Sequence, residues 1–221
     1  NQISRLHQSG RFKEVPYDEE LPVHTVWDLG TGQNLAIGFY QNLAGEIRKI
    51  DFWEGSENDG LPQAAKMLQE KPYLYGKHFG PHDLFATEVG TGKTRYEAAE
   101  KLGIQFETRT GDNGKLKSAI PDLSVEEGIE QGRLLFGRLW VDKNNCAEWL
   151  EKVGKYHQGF DDKKGMWTGK PVHDKSSHAA DEHRYAALVW DQMTNDFGES
   201  RENEQWRVKY NQLQNKGSRF R

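Results

Sequence analysis

The sequence predicts an α/β fold in which a central mixed sheet is flanked by helices, and three observations carry that expectation. Three β-branched or aromatic segments follow one another between Val23 and Trp53 with only short turns between them, the spacing of an antiparallel meander. After them, stretches of helical spacing alternate with short strands, the pattern of parallel additions to a sheet with helices on its faces. The 7 Trp, 8 Tyr and 10 Phe supply bulk for a core although the mean hydropathy is -0.91, which argues against wholesale disorder.

Taken in order, residues 1–20 are polar, with Pro16 and an acidic cluster at Asp18, Glu19 and Glu20, and read as a lead-in or linker. Strands are expected at 23–28, 35–40 and 46–53, with a glycine turn at Gly30, Thr31 and Gly32. Ala64, Ala65, Met67 and Leu68 give 61–70 a helical face. A short strand at 75–79 runs into Gly80, Pro81, His82 and Asp83. A helix at 94–102 is ended by Gly103, and a strand is expected at 104–108. Ser124 with Glu127 three residues later forms a capping box, and Ile129, Leu134, Leu135 and Leu139 suggest one long helix over 124–141. Residues 145–156 read as helix, 159–174 as a glycine- and lysine-containing loop, and 176–192 as the last long helix. The domain expected is therefore 21–197, between the lead-in and a polar, basic tail at 198–221.

Composition narrows the function. The 221 residues suit one α/β domain with tails. No apolar run approaches the roughly 20 residues of a membrane helix, and nothing at the start resembles a signal peptide. The single Cys146 excludes an intrachain disulfide and any all-cysteine metal site. The net charge of -4 is not that of a protein binding DNA by bulk electrostatics. Five basic residues and no acidic one fall between Trp206 and Arg221. Gly90, Thr91, Gly92, Lys93 and Thr94 imitate a phosphate-binding loop, but Thr87 stands where that motif needs its first glycine. A glycine loop whose Lys93 and Arg95 touch a phosphate backbone is the reading preferred over a nucleotide site.

Three aspartates stand out. Asp28 ends an apolar strand, where an unpaired carboxylate is costly without a cation or donors. Asp83 follows Pro81 and His82 at the end of another strand, and Asp181 lies in a helix rich in small residues. Each alone is ordinarily a cap or a surface charge; together they offer what a divalent-metal site needs. Glu182 points about 100° away from Asp181, so metal ligation is its lesser role. His178 and His183 are five apart, which is not the i,i+4 pair of zinc proteases. His178, three before Asp181, is read as a packing or supporting partner of the acids, and His82 as a partner of its loop.

At these residues the sequence resembles the nuclease domain of tailed-bacteriophage large terminase subunits. The resemblance rests on Val26 to Thr31, Gly80 to Asp83, 94–103, 125–129, Arg133 to Leu135, Pro171 to Asp174, Ser177 to Asp181, and Arg184 with Tyr185. It implies an RNase H-like fold and an acidic triad of Asp28, Asp83 and Asp181. The implied chemistry is two-metal hydrolysis of double-stranded DNA by Mg²⁺ or Mn²⁺, with Asp28 bridging both ions. The resemblance further implies the ATPase domain of a longer chain, the portal protein and the small terminase subunit as partners, and the host-cell cytoplasm as the place of action. The opening Asn1 agrees with an isolated nuclease half. Rival readings are a Holliday-junction resolvase, an RNase H, and a noncatalytic DNA- or portal-docking module.

Overall fold

The computed structural model of the chain describes residues 2–30, 35–56, 58–87, 92–161, 165–172, 174 and 176–195. The turn at Thr31 and Gly32, residues 90–91 of the glycine loop, His173 and the basic tail lie outside the described residues.

Strand β2 (Val23–Leu29) is buried along its whole length, and its side chains alternate between two cores. Val23, Trp27 and Leu29 join one core with Leu35, Ile37 and Phe39 of β3 (Leu35–Leu43). Val26 joins the other with Tyr40 of β3 and Ile47 of β4 (Glu46–Glu54). The strands β2, β3 and β4 pair antiparallel, and β5 (Tyr75–Phe79) adds in parallel to β2. The first core is roofed by α2 (Leu61–Glu70) and α3 (Arg95–Lys101) through Ala64, Ala65, Leu68 and Ala99. The second lies under α1 (Gln2–Gln8), α4 (Val125–Leu135), α5 (Ala147–Lys155) and α6 (Ser177–Val189), and a 3₁₀ turn (Trp190–Gln192) extends α6. Trp27 and Trp149 are fully buried, one in each core, and each stabilises the fold by something on the order of 3 kcal/mol.

Several sequence expectations change. The helix expected over 124–141 ends at Leu135, and Leu139–Asp142 forms β8, parallel to β4 with Leu139 opposite Ile47. Pairing to the sheet overrides helical spacing there, as tertiary context overrides propensity. The lead-in is built into the sheet: Leu6 of α1 is fully buried, and β1 (Phe12–Lys13) pairs in parallel with β8. Val15 N–H donates to Asp142 at 2.7 Å, and Arg11 Nη1 donates to the Phe136 carbonyl at 2.5 Å. The sheet order is therefore β1-β8-β4-β3-β2-β5. The strand expected at 104–108 is reduced to a bridge from Phe106 to His78, followed by a two-stranded ribbon of β6 (Thr108–Thr110) and β7 (Leu116–Ser118). Within the loop expected at 159–174, β9 (Gln158–Asp161) and β10 (Met166–Pro171) pair antiparallel.

Candidate active site

Helix α6 crosses the sheet above β2 and β3. Ala179, Ala180, Ala186 and Ala187 keep its buried face shallow, and Gly38 of β3 removes the obstacle beneath it. A Cβ at residue 38 would stand 1.9 Å from Glu182 Oε1 and 2.4 Å from Lys49 Nζ. The even-numbered positions of β2 face this helix, so Asp28 meets α6 while Trp27 faces away.

Asp28 is 8% exposed, and its Oδ2 accepts from His178 Nδ1 at 2.8 Å. Burial raises the Asp28 pKa; the hydrogen bond from His178 opposes the shift, and the charges of Asp181 and Asp83 add to it. The topology places them at the same end of the sheet: Val26, two residues before Asp28, pairs with Phe79 at the end of β5, and His178 lies one turn before Asp181 on α6. For His178, burial would lower the pKa, but the hydrogen bond and charge of Asp28 outweigh it and leave the imidazole raised. The expected link from His178 across one turn to Asp181 gives way to this pairing with the strand carboxylate.

Asp83 lies in the turn after β5, where Leu84 N–H donates to Pro81 O at 3.1 Å and Ala86 N–H to Asp83 O at 2.8 Å. Arg95 Nη1 at the start of α3 donates to Asp83 Oδ2 at 3.1 Å. The Thr94 hydroxyl holds that end of α3 by accepting from Glu97 N–H at 3.2 Å. Asp181 is held within its own helix: Arg184 Nη2 and Nε donate to its Oδ1 at 2.7 and 3.0 Å. Arg95 and Arg184 thus serve as counter-cations to two of the three acids. Among the described residues, no three His, Cys, Asp or Glu side chains stand ready-made as a metal cluster. The donor types nonetheless suit a hard divalent ion: all three are carboxylates, and the arginines beside Asp83 and Asp181 show that two of them already attract cations.

The other sequence candidates fall in different places. Glu182 turns its carboxylate into the core, where Lys49 Nζ donates to Oε2 at 2.7 Å, Trp149 Nε1 to the same oxygen at 3.1 Å, and the Tyr40 hydroxyl to Oε1 at 2.5 Å. Both oxygens are engaged, and Lys49 and Glu182 are fully buried, so the ligand role held open for Glu182 has no free oxygen to serve it. His82 is exposed, 3.9 Å from Asp122, with its ring edge-on to Tyr185. Lys93 lies beside Lys101, whose pKa it lowers.

Tyr185 was visible in the sequence only as part of a motif. Burial raises its pKa, the charges of Asp28, Asp181 and Asp83 raise it further, and its ring lies edge-on to His82, next to Asp83. The spacing of four from Asp181 was the signal that could have placed it on the same face.

A mixed sheet with three leading antiparallel strands, parallel additions at β5 and β8, and helices on both faces is the RNase H-like architecture. Its solved neighbours are nuclease domains of phage large terminases. The nuclease domain of the bacteriophage P22 large terminase superposes with a TM-score of 0.59 at 21% identity, covering 82% of this chain and 89% of that domain. The large terminase of a thermophilic bacteriophage, crystallised with ADP, gives a TM-score of 0.55 at 15% identity. That match covers 85% of this chain but 44% of the thermophilic protein, so this chain spans less than half of it. At these identities the likeness is one of fold. No protein-family model matches the chain, and no curated protein sequence matches it significantly.

Proposed function

We propose that the chain is the metal-dependent endonuclease domain of a viral DNA-packaging motor, cutting concatemeric double-stranded DNA with little sequence preference. The observation that carries this reading is the convergence of three elements: Val26, two residues before Asp28, pairs with Phe79 at the end of β5, just before the turn of Asp83, and Asp28 bonds His178, one turn before Asp181 on α6. The terminase-like fold supports it.

Asp28, Asp83 and Asp181 are the residues that would hold two Mg²⁺ or Mn²⁺ ions. Such ions, when bound, supply an activated water and stabilise the departing 3′ oxygen. The chain's own part is to order the acids. His178 fixes the Asp28 carboxylate by its Nδ1–H, Arg184 fixes Asp181 through two donors, and Arg95 brings a positive charge beside Asp83. Partners in the motor would be the portal protein, the small terminase subunit and an ATPase domain of the same longer chain, acting in the host-cell cytoplasm.

Plasmid DNA in Mn²⁺ or Mg²⁺ tests the reading. The unaltered protein is expected to nick and linearise it, and Asp28→Asn to lose cleavage while its far-UV spectrum is retained. Cleavage by that variant would remove Asp28 from the mechanism. A preference for four-way junctions or RNA–DNA hybrids over linear duplex would point to the rival nucleases. Binding without cutting in both metals would point to a docking module.

A further inference from the structure

The ribbon of β6 and β7 has a face that the catalytic reading leaves unused. Arg109 lies directly opposite Lys117, Thr110 opposite Leu116 and Thr108 opposite Ser118. Because faces alternate along a strand, Arg109 and Lys117 share one face, and Lys115 joins them two residues on. Position 111 on that face is glycine, over which the Lys117 stem packs: a Cβ there would lie 2.9 Å from Lys117 Cε. Like charges directly opposite one another destabilise a two-stranded ribbon. All three cations are exposed. Among the described residues, none has an ion-pair partner; Arg109 Nε donates to the Ser118 carbonyl at 3.1 Å.

The ribbon is also rigidly rooted beside Asp83. Ser118 Oγ donates to Gly80 O at 2.6 Å, and Glu107 N–H to His78 O at 2.7 Å. Its turn is tied by Gly111 N–H to Lys115 O and Gly114 N–H to Gly111 O, both at 2.8 Å. Phe106 bridges His78 in parallel, so β6 continues past the carboxyl end of β5, the same sheet end that bears Asp83.

From this we infer that the β6–β7 ribbon is a DNA-holding arm, its Arg109, Lys115 and Lys117 face lying along the phosphates of a duplex next to the cut. A two-stranded ribbon has the dimensions to lie in or along a DNA groove. The arm gives a chain of net charge -4 a local anion-binding surface that needs no metal. The inference rests on the nuclease reading and deepens it.

The test compares the unaltered chain with Lys115→Met/Lys117→Met, which keeps the side-chain stems, and with Lys66→Met/Lys143→Met as a control of equal charge. Binding of a 30-base-pair duplex in Ca²⁺ is followed by fluorescence anisotropy from 50 to 200 mM KCl, and cleavage in Mn²⁺ is measured alongside. The arm variant is expected to lose roughly 1.8 from the slope of log K against log salt, at about 0.9 per phosphate contact. Its KM for duplex should rise with kcat kept, and the control should match the unaltered chain. An unchanged slope and KM in the arm variant, with the unaltered chain still cutting, would overturn the arm and leave the nuclease. An unaltered chain that neither binds nor cuts duplex would overturn both.

Discussion

Asp181 and Glu182 are neighbours on one helix with opposite fates. Asp181 and His178 look toward the strand end that carries Asp28, whose carboxyl is raised mainly by burial and whose hydrogen bond helps raise the imidazole. Glu182 and His183 look into the packed interior. There Glu182 is tied to Lys49, Tyr40 and Trp149, and burial lowers His183 to about 3 while its Nε2 donates to Gly132 O at 2.9 Å. The same residue types thus face a half-open sheet end on one side and the core on the other, because one helical step turns a side chain by about 100°. A carboxylate is structural where aromatic walls and a buried amine enclose it, and stays accessible to a cation where it does not face the core.

The contrast can be broken hardest with acid. His24 and His183 are buried, His78 is half-buried, and desolvation lowers them to about 3, 3 and 4. Their stabilising contribution is complete above the unfolded value near 6.5 and disappears as pH falls toward those folded values. Three protons taken up on unfolding give on the order of 4 kcal/mol per pH unit, enough over two units to match a typical domain stability of roughly 5–15 kcal/mol. Urea unfolding at pH 7, 5.5 and 4.5 checks this; a flat profile would mean the core histidines are charged.

Next in size is Lys49→Met, which strands Glu182 and should cost about 3–5 kcal/mol. Adding Glu182→Gln should recover much of that loss, and thermal melts of the single and double variants decide it. On the opposite side of the helix, Asp181→Asn should abolish plasmid cleavage while shifting the melting midpoint by less than about 3 °C, a shift worth on the order of 1 kcal/mol in a chain of this size.

The smallest effect has the reverse sign. Asp28 is raised in the folded chain, so the stability linked to it is present below its ordinary pKa and is lost as pH rises through the raised value. Metal-free Asp28→Asn should therefore melt a few degrees higher than the unaltered chain at pH 7, at about 2–4 °C per kcal/mol. That gain should shrink as the buffer is acidified. A lower midpoint at pH 7 would show that the His178 bond outweighs the repulsion.

Much of the central sheet was legible because β2 to β4 combine β-branched and aromatic residues with short turns. The cap at Ser124 was legible because its hydrogen bonds are local, and the same local box at Thr94 went unread. Strand β8 was not, since Leu139, Trp140 and Val141 continue a helical apolar spacing and become a strand only through pairing with β4. The lead-in was misread for the same reason: its polar composition hides the buried Leu6 and a parallel pairing to residues nearly 130 positions away. In the candidate site, residue type and position single out the three aspartates as candidates. The arginines that hold two of them, and the lysine that claims Glu182, depend on rotamers and distant strands that no local pattern encodes.

Gly38 carries no reactive atom, yet it sets how far α6 rides above the sheet. An alanine there would have to push aside the Glu182 carboxylate and the Lys49 amine, prising apart the buried ion pair on which α6 sits. A single methyl group on β3, whose Gly38 pairs with Val26, would thereby disturb the seat of α6 with Asp28 and Asp181 themselves untouched.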